Sequence, residues 1–397
     1  MESISSRVNS LSASATIAMN QKSRDLQANG INVINLSVGE PDFFTPDHIK
    51  AAAKKAIEDN FSFYPPVAGY PDLKKAVVEK FKRENNLEYT TEQVIVSCGA
   101  KHSLANAMMS LINKGDEVII PAPYWVSYLE QVKLCEGVPV VINAGFDNNF
   151  KITPKQLESA ISLKTKALLL CSPSNPTGAV YSRSELRALA DVLAKHSQIM
   201  IISDEIYEHI NFIGGHETIA QFADMKERTV LINGVSKAYA MTGWRIGYMA
   251  APLWLVKACD KLQGQTTTGA TTISQKAATA ALTGDQACVV EMNTAFKRRK
   301  ELVVKLVREI PDLEVYDPDG AFYVFPKVDK YFGKTFNGTP IKNSTDLCLY
   351  LLDQAHIATV PGDAFGDDSC IRISFATSDE KLVEAMKRMN NALTALK

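Results

Sequence analysis

Seven short apolar segments follow residue 90 and predict the strands of one sheet. They are Val94 to Ser97, Glu117 to Ile120, Val138 to Ile142, Ala167 to Cys171, Ile199 to Ser203, Thr229 to Ile232 and Ile246 to Ala250. Several are apolar throughout instead of alternating, which is typical of strands buried on both faces of a mostly parallel sheet. Amphipathic stretches between them predict helices. We therefore expect an α/β fold with a large three-layer domain around a mostly parallel seven-stranded sheet.

The pattern changes near residue 286. The later part begins with a predicted long charged helix to Glu309, which the segment 320–325 follows. After it come a predicted helix near 345–355, strands at 357–360 and 370–375, and a final helix from Ser378. Because strands and helices no longer alternate one for one, this part predicts a smaller α+β domain.

The N-terminal segment is too short to form a core of its own. Before Pro46 it contains one predicted helix and a strand-like stretch at 33–36, so we expect it to pack on another domain. We assign residues 48–286 to the large domain, and residues 1–47 together with 287–397 to the small domain.

Length, charge and composition narrow the class of protein. The 397 residues carry 43 Lys+Arg and 44 Asp+Glu, a formal net charge of -1, and 46% of them are hydrophobic. That is enough apolar material for two cores. The balanced charge gives no electrostatic reason to expect a nucleic acid or a membrane surface as partner. The longest apolar runs fall far short of the about 18 residues of a spanning helix, and the first residues show no secretory pattern. We expect a cytoplasmic protein with small-molecule substrates.

Neither cysteine nor histidine spacing predicts a metal. The seven cysteines are an odd number without a CxxC pair, and the six histidines include no HExxH. We therefore expect neither a disulfide framework nor a metal site.

Residues at the ends of the predicted strands indicate where a ligand binds. In an open α/β sheet, ligands lie outside the carboxyl ends of the strands. Gly99 follows the first strand and precedes a helix, which suits an anion of phosphate size. Trp125 follows the second strand, Asp204 the fifth, and Lys237 and Arg245 the sixth. The glycine-rich motifs of dinucleotide and nucleoside triphosphate sites do not occur.

These groups together suit a cofactor with an aldehyde, a pyridine ring and a phosphate, namely pyridoxal phosphate. Lys237 would hold the aldehyde as a Schiff base. Asp204 would keep the ring nitrogen protonated, so that the ring can act as an electron sink.

Six sequence strings carry a resemblance to a known family. In chain order they are Gly39-Glu40-Pro41-Asp42, Tyr64 with Gly69-Tyr70, Pro121 to Tyr128, Ser174 to Gly178, Ser203 to Tyr207, and Ser236-Lys237 through Tyr248. Together they resemble the class I pyridoxal phosphate aminotransferases of fold type I. Within that family the sequence is most similar to the bacterial aspartate aminotransferases of the Ib subgroup and to prephenate aminotransferases, from about Arg7 to the C-terminus. One string alone is a weak signal, but six in the expected order make a strong one.

The resemblance implies roles for individual residues. Lys237 corresponds to the Schiff-base lysine that also moves the substrate proton. The other implied cofactor contacts are Gly99, Ala100, Lys101, Ser236 and Arg245 for the phosphate, Trp125 for the ring face, Asp204 for the ring nitrogen, and Asn175 with Tyr207 for the phenolic oxygen. Tyr64 is implied to reach the phosphate of a neighbouring subunit in a homodimer with shared active sites. The implied substrate contacts are Gly39, Trp125, Asn175, Lys101, Thr16 and Arg372, of which Arg372 clamps the α-carboxylate.

One position departs from the family pattern. Many members carry a serine or threonine three residues before the lysine as a phosphate ligand, whereas this chain has Gly234 there and Ser236 directly before Lys237. The sequence therefore does not decide which side chain of this loop contacts the phosphate.

Each of these residues also has a simpler reading. Lys237 could be a solvated loop lysine, Asp204 a helix N-cap, Trp125 a core residue and Tyr64 a turn residue. Lys101 could point to solvent or only assist the phosphate. Arg372 lies in an otherwise apolar strand, where a charge is costly unless an anion meets it. That anion could be Asp367 or Asp368 instead of a substrate.

The implied function is transfer of an amino group from aspartate or glutamate to oxaloacetate or 2-oxoglutarate, with prephenate as a further acceptor. Aminotransferases of broader or aromatic specificity, and lyases or decarboxylases on the same fold, are the alternatives. A pyridoxal phosphate-fold regulator would need a DNA-binding domain, for which the extent of the resemblance leaves no room.

Overall fold

The computed structural model describes residues 4–397. Within this range the α-helices are α1 Ser6–Asn9, α2 Ala15–Ala28, α3 Asp47–Glu58, α4 Pro71–Asn85, α5 Ala100–Leu111, α6 Ser127–Leu134, α7 Pro154–Ala160, α8 Arg183–Leu193, α9 Ala223–Lys226, α10 Leu253–Thr266, α11 Thr272–Thr283, α12 Ala287–Arg308, α13 Ser344–Ala355 and α14 Asp379–Thr394. None of these helices is long and apolar enough to cross a membrane.

The strands, over the same range, are short. They are β1 Ile34–Asn35, β2 Val94–Ser97, β3 Glu117–Ala122, β4 Val138–Asn143, β5 Thr165–Cys171, β6 Met200–Asp204, β7 Thr229–Gly234, β8 Gly247–Ala250, β9 Tyr323–Val324, β10 Thr335–Phe336, β11 Thr339–Pro340, β12 Ile357–Ala358, β13 Val360–Pro361 and β14 Ile371–Ser374.

Seven of the strands form one sheet in the order β2-β8-β7-β6-β5-β3-β4. β8 runs antiparallel to both of its neighbours, and the other pairs are parallel. The predicted mostly parallel seven-stranded sheet is confirmed. In the ladder, Asp204 at the end of β6 pairs with Cys171 of β5 and with Ile232 of β7. The ends of these three strands therefore lie level, and the loops that follow them meet at one edge.

Helices cover both faces of this sheet. On one face, Leu169 of β5 packs in a cluster with Leu104 of α5 and Leu255 of α10. The next residue towards the strand's start, Leu168, points to the opposite face and packs with Leu189 of α8. This alternation explains why the strand is apolar at every position, and it confirms the predicted three layers.

The N- and C-terminal parts of the chain share a second core. β13, β14 and β9 form an antiparallel sheet, and β1 pairs in parallel with β12. Met19 of α2 and Leu36 lie in one apolar cluster with Phe296 of α12, Leu351 of α13 and Leu382 of α14. The domain boundaries at residues 48 and 286 stay predictions.

Two details differ from the sequence prediction. The strand predicted at 357–360 is divided at Thr359, because β12 pairs in parallel with β1 whereas β13 pairs antiparallel with β14. A change of partner strand leaves no mark in an apolar pattern. The segment before Pro46 contains the short helix α1 in addition to the predicted one.

Candidate active site

The strand ends of the large sheet border a cavity of about 280 Å³. Twelve of the fourteen predicted site residues line it: Thr16, Gly39, Ala100, Lys101, Trp125, Asn175, Asp204, Tyr207, Ser236, Lys237, Arg245 and Arg372. Gly99 belongs to the adjoining loop, and Tyr64 lies elsewhere. Segments from both ends of the chain and from the central sheet thus meet at one place.

Lys237 follows β7 and extends into this cavity. Its Nζ donates a hydrogen bond of 2.5 Å to the backbone oxygen of Gly39. Burial lowers the pKa of Lys237 to about 8; Glu40 opposes this shift and Arg372 adds to it. The amine therefore loses its proton much closer to neutral pH than an exposed lysine does, which both a nucleophile and a base require.

Asp204 presents a buried carboxylate at the end of β6. The Tyr128 hydroxyl donates to Oδ2 at 2.7 Å, and the backbone N–H of Ile206 donates to Oδ1 at 3.3 Å. Burial raises the pKa of Asp204 from 3.8 to about 6, although both hydrogen bonds oppose the shift. A carboxylate held in this way is suited to bind a protonated ring nitrogen.

The start of α5 and Arg245 form an anion site. Gly99 precedes α5 with φ of +87°, and a Cβ at this position would overlap the guanidinium of Arg245. Arg245 itself has φ of 56°, and its Nη1 donates to the Thr242 backbone oxygen at 2.8 Å. A glycine is therefore required for the guanidinium to approach the helix N-terminus, where unpaired amides favour an anion.

The loop before Lys237 explains the departure from the family pattern. A Cβ on Gly234 would lie 2.9 Å from the backbone oxygen of Ile246 and 3.0 Å from Cα of Gly247. A serine or threonine has no space there. Ser236, in contrast, lines the cavity.

Arg372 is a buried cation on β14 that is 1% exposed. Its Nη1 donates to Asn175 Oδ1 at 2.9 Å and its Nη2 to the Ser37 backbone oxygen at 2.7 Å. Nε is buried and has no hydrogen-bond partner within residues 4–397. The guanidinium also lies 4.4 Å from the ring centre of Tyr323. This side chain is held in place by neutral groups and keeps donor capacity for a ligand.

The alternative that Asp367 or Asp368 neutralises Arg372 is wrong. Asp367 accepts hydrogen bonds from Ser369, and Asp368 accepts them from Ser344. No carboxylate of the described chain forms a salt bridge with Arg372. An external carboxylate would be its first anionic partner.

Three more side chains line the cavity, namely Lys101, Trp125 and Thr16. The Lys101 ammonium lies 4.7 Å from the ring centre of Trp125, and burial, followed by the charge of Arg245, lowers the pKa of Lys101. The Thr16 hydroxyl is buried without a partner in the part of the chain that the structure describes. Both polar groups are therefore available to a ligand in the cavity.

Tyr64 is the predicted residue that the fold does not bring to the cavity. It is 93% exposed, and its neighbour Phe63 is 80% exposed. Phe63 and Tyr64 therefore present two adjacent exposed aromatic rings, away from the cavity.

Sequence reasoning missed two tyrosines at this site. Tyr128 donates to Asp204, and Tyr323 shares a 2.8 Å hydrogen bond with Tyr207 while its ring lies beside Arg372. Tyr128 carried a local signal, since it follows Trp125 by three residues. Tyr323 carried none, because it meets Tyr207 only through the tertiary fold.

The charge of the cavity is strongly positive. Lys101, Lys237, Arg245 and Arg372 line it, and Asp204 is the one acidic residue among its walls within the described chain. Such a site attracts ligands that carry several anionic groups.

Comparison with known proteins identifies the family. The protein-family model described as "Aminotransferase class I and II" matches residues 31–389. The chain is 50% identical to a probable aspartate/prephenate aminotransferase of Rickettsia bellii, with all of both chains covered. The fold is similar to the crystal structure of the aspartate aminotransferase from Rhizobium meliloti, with a TM-score of 0.96, 44% identity and 100% of both chains covered. It is also similar to the aspartate aminotransferase from Thermus thermophilus with maleate, with a TM-score of 0.93, 38% identity, 99% of this chain and 100% of that chain. This chain belongs to the class I and II aminotransferase family.

Proposed function

We propose that the cavity binds pyridoxal phosphate and that this aminotransferase uses aspartate or glutamate as amino donor. The observation that carries the proposal is that Lys237, Asp204, Arg245 and Arg372 line one cavity. Each of these residues suits one group of the cofactor or the substrate. The amine suits the aldehyde, the buried carboxylate suits the ring nitrogen, and the two guanidinium groups suit the phosphate and the α-carboxylate.

The residues present fit this cofactor. Arg245 and the start of α5 would bind the phosphate, with Gly99, Ala100, Lys101 and Ser236 around it. Asp204 would bind the ring nitrogen, Trp125 the ring face, and Asn175 with Tyr207 the phenolic oxygen. When bound, pyridoxal phosphate supplies an aldehyde that accepts the amino group and a ring that takes up the electron pair of the substrate Cα.

The protein groups would then bind the substrate and move its proton. Arg372 would clamp the α-carboxylate, with Asn175 and the Gly39 backbone beside it. Lys237 Nζ would take the proton from the substrate Cα, because its lowered pKa leaves much of the amine neutral near pH 8. Asp204 would hold a proton at the ring nitrogen throughout.

Support for a dicarboxylic substrate comes from Lys101 and Thr16. Lys101 offers a second cation at the cavity and Thr16 an unpartnered hydroxyl. The relatives named above include a probable aspartate/prephenate aminotransferase and an aspartate aminotransferase with maleate, a dicarboxylate. We infer that oxaloacetate and 2-oxoglutarate are acceptors and that prephenate, which also carries two carboxylates, is a further one.

We further propose a cytoplasmic homodimer with shared active sites. Tyr64 and Phe63 are exposed, and neither contacts the cavity of its own chain. Burial of these rings against a second copy would remove the apolar surface and bring the Tyr64 hydroxyl to the partner's phosphate site. The proposed partners are thus small-molecule substrates and a second subunit, with neither nucleic acid nor membrane.

A donor and acceptor screen tests the substrate proposal. We expect kcat/KM for aspartate with 2-oxoglutarate to exceed that for alanine at least about tenfold, since one charge-assisted bond to the distal carboxylate supplies that factor. Product formation with prephenate and either aspartate or glutamate would extend the acceptor range. Equal kcat/KM for alanine and aspartate would contradict dicarboxylate specificity.

A further inference from the structure

The turn at 205–209 separates two sets of side chains. Ile206 and Tyr207 line the cavity together with Asp204 at the end of β6. Glu208 instead points into the large-domain interior, where a buried polar cluster lies. We define this Lys80 cluster as Lys80, Glu84, Asn85, Glu208, His209 and Asn233.

Lys80 and Glu208 form the centre of the cluster. The Lys80 side chain is 0% exposed, that of Glu208 is 3% exposed, and the two are in direct contact. Lys80 Nζ also donates to Asn85 Oδ1 at 2.9 Å and lies 3.5 Å from Glu84 Oε2. Burial opposes ionisation of Glu208, but Lys80 and the neighbouring histidines outweigh it and lower the pKa of Glu208.

Asn233 connects this centre to the strand that leads to Lys237. Its Nδ2 donates to Glu208 Oε2 at 2.6 Å, and its Oδ1 accepts from the Gly234 backbone N–H at 2.7 Å. Asn233 is 1% exposed. The Glu208 carboxylate thus connects the turn that follows Asp204 and carries Tyr207 to Asn233 of β7, four residues before Lys237.

Neither a metal nor stability alone accounts for the cluster. Ligand atoms of Glu84, Glu208 and His209 lie within 4.8 Å of one another, but the Lys80 ammonium already supplies the cation between the carboxylates. A buried ion pair is often no more stable than apolar residues of similar volume, because desolvation offsets the attraction. The position of the pair, directly behind two loops of the active site, is the informative feature.

We propose that Glu208 and Asn233 are positioning residues, which hold Asp204 and Lys237 at the separation that the two ends of one cofactor require. The inference rests on the proposed function of these two residues. Pyridoxal phosphate would engage both at once, because Asp204 would bind its ring nitrogen and the Lys237 amine would condense with its aldehyde, with loss of water. Pyridoxine phosphate has an alcohol in place of the aldehyde, so its binding does not depend on that separation.

The test compares the affinities of the cofactor-free chain for these two ligands by equilibrium dialysis. Asn233→Ala removes the bond to Glu208 and the bond from the adjacent Gly234 N–H. Thr229→Ala is the matched control, because it removes one buried hydrogen bond, to the Met225 backbone oxygen, at the other end of β7. We expect Asn233→Ala to weaken the binding of pyridoxal phosphate about three- to tenfold more than the binding of pyridoxine phosphate. That factor is the range for one hydrogen bond. Thr229→Ala should leave the ratio of the two affinities unchanged.

Two double variants keep the proposal testable if Asn233→Ala does not fold. Lys80→Met with Glu208→Gln removes both charges but leaves an acceptor for Asn233, so its affinity ratio should equal that of the wild type. Lys80→Met with Glu208→Leu removes the acceptor as well and should change the ratio as Asn233→Ala does.

If the variants that lack the Asn233–Glu208 bond bind both ligands equally more weakly, the positioning role is overturned and a structural role is indicated. Failure of the wild-type chain to bind pyridoxal phosphate would instead overturn the proposed function itself, and with it this inference.

Discussion

Asp204 is a residue at which the proposed chemistry and the stability of the free protein conflict. Its folded-state pKa of about 6 lies above its ordinary 3.8. The folded state therefore favours the protonated form, and stability is lost as the pH rises from about 4 to about 6. At pH 8 this pKa shift lowers the free energy of unfolding by about 3 kcal/mol.

Asp204→Asn should accordingly stabilise the cofactor-free protein while it impairs cofactor binding. The gain in free energy of unfolding should be about 1 kcal/mol larger near pH 8 than near pH 5, because only the wild type carries the buried charge at the higher pH. Urea unfolding at both pH values measures it. Asp353→Asn, at an exposed carboxylate, is the control and should show no such difference. A gain that does not vary with pH would contradict the argument.

Lys237 can be tested separately from the binding of the ring. Lys237→Ala should abolish turnover, since Lys101, the other amine that lines the cavity within residues 4–397, lies over the Trp125 ring. The variant should nevertheless bind pyridoxine phosphate within about threefold of the wild type. Equilibrium dialysis and a transamination assay give the two values. Residual activity near the wild-type level would exclude Lys237 as the reactive amine.

Lys101 is the residue that we expect to select dicarboxylic substrates. Its ammonium lies above the Trp125 ring at the cavity wall. Lys101→Ala should lower kcat/KM for aspartate about ten- to a hundredfold, the value of one charge-assisted bond, while alanine changes less than about twofold. The same loss on both donors would assign Lys101 to the phosphate or to solvent.

At the scale of elements, strands were predictable because burial on both faces makes every position apolar. The candidate site residues after each strand were predictable for a different reason, since parallel strands end at one edge of the sheet. Contacts made only by the tertiary fold were not. The Tyr207–Tyr323 hydrogen bond joins residues 116 positions apart, and the break at Thr359 follows from a change of partner strand.

Gly234 shows how an element constrains the site. Gly234→Ser should destabilise the protein by about 1–3 kcal/mol, because its Cβ meets backbone atoms of the adjacent strand region that cannot move aside. Gly243→Ala is the control: its Cβ would have no heavy atom within 4 Å, so the change should stay within about 0.5 kcal/mol. Thermal or urea unfolding of both variants measures this. A stable Gly234→Ser variant with tighter phosphate binding would show that the hydroxyl fits after all.

At the scale of the whole molecule, the cavity depends on segments that are far apart in sequence. Arg372 reaches Ser37 across 335 positions and Asn175 across 197 positions. Spacing along the chain does not predict such meetings. The family resemblance implied that Asn175 lies beside Arg372, and the structure added the contact with the Ser37 backbone oxygen.

The proposed dimer predicts complementation between two defective chains. Tyr64→Phe should raise the pyridoxal phosphate concentration for half-maximal activity, and the protein should sediment as a dimer. Mixing with excess Lys237→Ala chains should return that concentration to the wild-type value, because the hybrid has one site with both residues intact. The Lys237→Ala, Tyr64→Phe double variant is the control and should not restore it. No change on mixing would place Tyr64 outside the partner's site.

We propose that this chain moves an amino group from a dicarboxylic amino acid to a bound cofactor. The half-reaction without an acceptor measures this transfer directly. Protein loaded with pyridoxal phosphate is mixed with aspartate and no acceptor, and the products are quantified. We expect about one equivalent of oxaloacetate per subunit, with neither ammonia nor carbon dioxide, and no further product until a 2-oxo acid is added. Continued turnover without an acceptor, with release of ammonia or carbon dioxide, would contradict it.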